Sequence, residues 1–138
     1  IRMIASVAQA RARRGAGRWE PAEGVQGCAI LIGSVSSTGN RGQISYASAK
    51  AGLEGAQGTL ASEAAYYGGG WAIIHPGSPD TRMVAALGQE LTSRNILPHT
   101  QLGRLISPAE IADAIVFMVQ NSAVSGQVWV DAGWHPGA

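Results

Sequence analysis

Apolar positions along the chain change period several times, and the changes mark out a run of helices and strands. From about Met3 to Arg14 an Ala-rich stretch puts Ile4, Val7, Ala8 and Ala12 on one helical face. A short apolar run from Cys28 to Ile32, closed by Gly33-Ser34, has the length and flanks of a buried strand. A second helix is expected from about Gln43 to Tyr66, ended by Gly68-Gly69-Gly70, with Trp71 to Ile74 as the next strand, stopped by Pro76-Gly77. A helical segment from about Met83 to Arg94 leads into a polar loop reaching Ile106. Ser107-Pro108-Ala109-Glu110 combines an N-cap serine, a proline at the first helical position and a reciprocal glutamate. It opens a helix whose buried face is Ile111, Ile115, Met118 and Val119. Ser125 to Gly133 alternates Val128 and Val130 against Trp129 and supplies the last strand. Helical crossovers between successive strands imply an α/β fold with a parallel sheet and right-handed connections.

Composition narrows the class. The 138 residues are 46% apolar and 14% charged, one globular domain's worth. A net charge of +1 argues against nucleic acid as the main partner, and no apolar run approaches the ~18 residues of a membrane span. Cys28 is the single cysteine, so no intrachain disulfide forms; its apolar strand makes it an inert buried thiol and fits a reducing, cytoplasmic interior. His75, His99 and His135 show no metal-ligand spacing, and His75 reads as a satisfied residue at a strand end. Half of the basic residues fall in the first 18 and no acid precedes Glu20. That bias permits a transit-peptide reading, but cations at a helix C-terminus complementing its dipole are the plainer one. The opening Ile suggests a segment upstream that was removed or not included.

The candidate chemistry lies between Gly33 and Glu63. Tyr46 and Lys50 are four apart, so on a helix the phenol and the ammonium share a face. A free tyrosine titrates near ~10, and an adjacent cation lowers that value toward use as an acid or base. Lys50 is the only lysine, against nine arginines. The apolar strand before it delivers Ser34 to its carboxyl tip, the edge at which open α/β sheets bind ligands. An ordinary surface pair would share the Tyr46/Lys50 spacing; the strand tip is what sets this one apart.

The ordered set of a strand ending in Gly33-Ser34, a helix carrying Tyr46-Ala47-Ser48-Ala49-Lys50, His75-Pro76-Gly77 after a second strand and a last strand near Ser125 resembles the short-chain dehydrogenase/reductase family. The wording GNRGQISYASAKAGLEG looks especially like its 3-oxoacyl-(acyl carrier protein) reductases. The resemblance implies that Tyr46 exchanges a proton with the substrate oxygen. It implies that Lys50 lowers the Tyr46 pKa and holds the nicotinamide ribose, and that Ser34 hydrogen-bonds a small-molecule carbonyl. Pro76, Gly77 and Thr81 would meet the nicotinamide end of NAD or NADP. Ser34 stands twelve residues before Tyr46 where the family usually has thirteen, so Ser36 and Ser37 remain rivals.

The resemblance covers the C-terminal half of a Rossmann-like doubly wound fold, three parallel strands with flanking helices. The family's glycine-rich phosphate loop has no counterpart: Gly15-x-Gly17 is followed by Glu20, and Thr38-Gly39 by Gln43 and Ser45 where glycines belong. The residue reading the adenosine ribose and the helix-start asparagine of the proton relay are missing too. Pro79 stands where a backbone N–H would meet the carboxamide, and proline has none. The chain alone is therefore expected to be inactive and to hold no cofactor tightly, or to be a non-enzymatic remnant. Its first strand would be an open edge needing cover. Gly52, Gly55 and Gly58 each cost up to ~1 kcal/mol against Ala, and a face of Ala49, Gly52, Ala56 and neighbouring small residues lets the sheet beneath or a helix of a second subunit approach closely. Expected partners are accordingly a second copy, through helices 3–14 and 43–66, or an upstream segment of the same protein.

Overall fold

The computed structural model describes residues 2–86 and 88–134; Ile1 and His135, weighed above, lie outside them. The main elements are α1 (Arg2–Arg13), β1 (Gly27–Ile32), α2 (Ile44–Ala65), β2 (Gly69–Pro76), α3 (Arg82–Ala85), α4 (Gln89–Asn95), α5 (Pro108–Gln120) and β3 (Gly126–Val130). The three strands form one parallel sheet in the order β1-β2-β3, the α/β half-fold expected from the sequence.

Strand alternation sends Ile73 and Ile74, both fully buried, to opposite faces. On one face Ala72, Ile74 and Met118 form a core with Ile30, Ile111, Ala114, Ile115, Val128 and Val130, so α5 lies across the sheet. On the other, α2 packs along β2. Burying each isoleucine contributes ~1.5–3 kcal/mol, so the central strand anchors both layers.

Several expectations need correction. Val119 is 52% exposed; Ile111, Ala114, Ile115 and Met118 already fill the inward stripe of α5, and Val119 follows Met118 by a further 100° turn. Strand β2 starts at Gly69 rather than Trp71, because Gly69 and Gly70 pair with Gly27 and Cys28. What ends α2 is Gly68 (φ 78°), on which the Trp19 indole lies so closely that a Cβ would come 2.3 Å from Cδ1. The segment 83–94 is two helices, interrupted where Gly88 takes φ 87°. Within the small-residue face of α2, Gly52 does not receive the sheet, since a Cβ there would meet nothing within 4 Å beyond its own stretch of helix, and the same holds at Gly55 and Gly58.

Arg11, taken above as one of the cations complementing a helix dipole, is 2% exposed and has a different task. Its guanidinium grips Glu23 through two hydrogen bonds of 2.7 and 2.9 Å and donates to the Gly17 carbonyl, tying α1 to the loop before β1. At α5 the expected reciprocal cap is present: Glu110 N donates to Ser107 Oγ and Ser107 N to Glu110 Oε2, while Arg104 holds the same carboxylate bidentately. These bonds, first from Arg11 and from Arg104 respectively, hold the Glu23 and Glu110 carboxyls at about 2 against an ordinary 4.5.

Both carboxyls are depressed in the folded state, so the stability they supply is complete above about 4.5 and disappears as pH falls through about 2. In urea melts between those values the native chain should lose stability with falling pH, and the double variant Glu23→Gln/Glu110→Gln should lose distinctly less. Equal slopes would remove these pairs from the acid response. Gly55→Ala, with open space around it, should raise the stability of the chain by up to ~1 kcal/mol in the same melts; a loss would mean that something does press on that face.

Candidate active site

Parallel pairing puts the carboxyl ends of all three strands at one edge. Beyond β1 the ladder runs one step further, Gly33 N donating to Ile74 O at 2.7 Å. The chain then turns at Ser34 into a 3₁₀ turn, Val35–Thr38, for which the Ser34 side chain is the cap, accepting from Ser36 N at 3.1 Å. Ser34 is buried, and no described hydrogen bond takes up its own O–H, which stays available as a donor. The rival serines are occupied locally. Ser37 Oγ donates to Ser34 O at 2.7 Å, and Ser36 Oγ accepts from Asn40 Nδ2 at 3.2 Å.

Helix α2 packs against this turn. Tyr46 lies in its first helical turn, 48% exposed, with Lys50 one turn on. Lys50 Nζ stands 5.6 Å from the Tyr46 ring centroid and donates to Ile32 O at 2.8 Å. Phenol and ammonium thus share a side of the helix, and the ammonium also reaches the end of β1, two residues before Ser34. A cation over an exposed ring is worth ~0.5–1 kcal/mol, enough to bias the rotamers but not to lock them.

At the tip of β2, Pro76 pairs with Val130 and Gly77 N donates to Val130 O. A Cβ on Gly77 would lie 2.8 Å from Asp131 Cα, so this glycine is set by the chain leaving β3. Pro79 forms a short parallel bridge with Ile106, flanked by Asp80 N to Ile106 O and Ile106 N to Ser78 O. Thr81 precedes α3, half-buried and without a side-chain cap bond. The edge therefore gathers Ser34, Lys50 with Tyr46, Pro76 and Gly77, with Thr81 five residues past the strand end.

One cluster at this edge was not expected from the sequence. His75 is fully buried and stacks on Trp129, ring centroids 4.2 Å apart at 16°. Its Nδ1 lies 3.3 Å from both N and O of Ser34 and 3.7 Å from Glu54 Oε1. His75 Nε2 and Glu54 Oε1 are buried with no hydrogen-bond partner among the described residues, so His75 is not the satisfied strand-end histidine anticipated above. Tyr46, Lys50 and Glu54 follow at i, i+4 and i+8, the signal that could have pointed to the carboxylate. The Cys28 thiol, half-buried in β1, is pushed up by desolvation and is the poorer nucleophile for it.

A family model described as enoyl-(acyl carrier protein) reductase matches residues 6–135. The chain belongs to the short-chain dehydrogenase/reductase family. This family member is 39% identical over 109 residues to carbonyl reductase family member 4 of Danio rerio, covering 78% of this chain and 44% of that protein. It is 42% identical over 95 residues to the 3-oxoacyl-(acyl-carrier-protein) reductase FabG of Escherichia coli, covering 68% and 38%. The crystal structure of 3-hydroxyacyl-CoA dehydrogenase type-2 from Mycobacterium avium superposes with a TM-score of 0.80 at 26% identity, over 97% of this chain and 50% of that one. The chain thus spans less than half the length of the two curated relatives.

The candidate site depends on the fit of the imidazole under the Ser34 turn. A Cβ on Gly33 would fall 2.6 Å from His75 Nδ1. Gly33→Ala should therefore destabilise the chain by about 1–3 kcal/mol in urea melts, through overpacking; a neutral result would mean that the ring has room to move.

Proposed function

We propose that this chain carries the catalytic half of an NAD(P)(H)-dependent oxidoreductase that interconverts a carbonyl and an alcohol, with Ser34, Tyr46 and Lys50 as its catalytic residues. The observation that carries the reading is the Lys50 ammonium over the Tyr46 ring, anchored to the tip of the strand that presents Ser34.

In the reduction direction, the Ser34 hydroxyl donates a hydrogen bond to the substrate carbonyl oxygen and fixes its orientation. The Tyr46 O–H gives its proton to that oxygen as the C–O bond becomes single. The negative charge left on the phenol faces Lys50, whose fixed positive charge stabilises it as it forms. A bound NAD(P)H supplies the hydride to the carbonyl carbon.

The residues present fit one end of that cofactor. Tyr46, exposed, and Lys50 have donors for ribose hydroxyls, with Pro76, Gly77 and Thr81 on the nicotinamide side. The phosphate end has no counterpart: Gly15-x-Gly17 is followed by Glu20, and Thr38-Gly39 by Gln43 and Ser45, so these residues supply no glycine turn that lets a pyrophosphate approach backbone N–H groups. The phosphate-binding half must come from sequence outside these 138 residues, and the chain alone should be inactive. The same relation supports partners at the free edge of β1, from an upstream segment, or at α1 and α2, where the exposed glycines of α2 leave room for a second copy. A single cysteine, which can form no intrachain disulfide, fits the cytoplasmic setting of this reading.

The chain alone should show no tight NAD(P)H binding in a fluorescence titration. Joined to the N-terminal half of one of the reductases above, it should turn over a 3-oxoacyl thioester, and Tyr46→Phe should cut that turnover at least ~10²-fold with an unchanged circular dichroism spectrum. Undiminished turnover in Tyr46→Phe removes the proposed acid. A joined chain that binds NAD(P)H but reduces no carbonyl favours the non-enzymatic remnant, to which the missing N–H at Pro79 also points.

A further inference from the structure

His75 is a fully buried group to which the reductase reading gives no task, and its surroundings restrict what its ring can do. Nδ1 faces two atoms of Ser34 at 3.3 Å, the amide nitrogen and the carbonyl oxygen, and one ring nitrogen either accepts or donates. The carbonyl oxygen is already served, accepting from Ser37 N at 3.1 Å and from Ser37 Oγ at 2.7 Å, so both of its lone pairs are taken. The Ser34 N–H is buried, points at Nδ1, and has no other acceptor among the described residues. Nε2 lacks a partner in either assignment. With the proton on Nε2, one ring nitrogen stays unpaired; with the proton on Nδ1, the Ser34 N–H is orphaned as well. Buried donors are rarely left that way.

We infer that His75 is held as the neutral tautomer protonated on Nε2, its Nδ1 accepting the Ser34 N–H, and that it acts as a positioning residue for the Ser34 turn. The inference deepens the reductase reading and rests on it for the consequence in catalysis. Two further features support it, and a third opposes it. Trp129 stacks on the ring and sets its plane. Gly33 leaves the space that Nδ1 occupies. Glu54 Oε1, at 3.7 Å, is beyond hydrogen-bond range of the ring and is a competitor: a carboxylate there draws a proton to Nδ1, so the Ser34 bond persists only while the amide outbids it.

The test is long-range proton–nitrogen correlation NMR on the full chain at neutral pH, combined with amide exchange at Ser34. The inference expects the pattern of a neutral imidazole with the proton on Nε2, unchanged in Glu54→Gln. His75→Leu should speed exchange of the Ser34 amide about tenfold or more, the loss of one buried hydrogen bond, while His75→Asn, whose side-chain oxygen can sit near the Nδ1 position, should restore most of the protection. An imidazolium, a proton on Nδ1, or a tautomer that changes in Glu54→Gln overturns it. Should His75→Leu fail to fold, the native tautomer decides alone. In the joined enzyme, His75→Leu should lower kcat more than it raises KM, with His75→Asn intermediate. If the joined enzyme turns over no substrate at all, the reductase reading fails while the tautomer and exchange results still judge the bond.

Discussion

The parallel register between β1 and β2, from Gly27 opposite Gly69 to Ile32 opposite Ile74, is the constraint on which the rest of the structure depends. It sets which residues meet beyond the ends of the strands: Gly33 and Ser34 come down beside His75, and β3 brings Trp129 alongside in the adjacent register. Side chains alternate with period two, so a slip of one residue would exchange the faces of Ile73 and Ile74. It would also take His75 from under the Ser34 turn. The apolar residues that make the slip costly are therefore what align the polar ones.

Helix α2 carries the candidate residues Tyr46 and Lys50 in a stretch with little local stability of its own. Its N-cap, Gln43, makes no side-chain capping bond, and three glycines interrupt its exposed side. Packing against β2 and the 3₁₀ turn, with the bond from Lys50 to Ile32 O, must supply what propensity does not. Lys50 is thereby held by the last carbonyl of β1, with the Tyr46 ring biasing its rotamer. That carbonyl belongs to a strand with one edge unpaired among the described residues.

What the sequence made legible follows from how local each signal is. The Ser107 to Glu110 cap is written in four consecutive residues, and the structure shows both of its bonds. The apolar run of β1 and the Tyr46/Lys50 spacing are nearly as local. Arg11 was misread because its partner, Glu23, lies across a loop of irregular conformation, and nothing in helical periodicity says that an arginine will turn inward. Val119 was misread because an apolar residue one step past the inward stripe looks the same as one within it. Glu54 and His75 meet through a crossover connection, so neither pattern alone could show that two titratable groups share the space behind Ser34.

The two parts of the proposed reaction differ in how much each contributes, and that difference argues for the chain acting with a second half. A positioned general acid such as Tyr46 is worth about 10²–10⁴ in rate. Holding the hydride donor against the carbonyl converts an encounter in solution into a step within one complex, an effect equivalent to effective concentrations on the order of 10⁵–10⁸ M. Groups suited to proton transfer are present in these 138 residues, at Tyr46, Lys50 and Ser34; the glycine turn that would grip a dinucleotide by its phosphates is not. On the proposed reading, the larger contribution must therefore be supplied from outside this sequence, and the open edge of β1, ending beside Lys50, is the place where an added strand would bring it next to the acid.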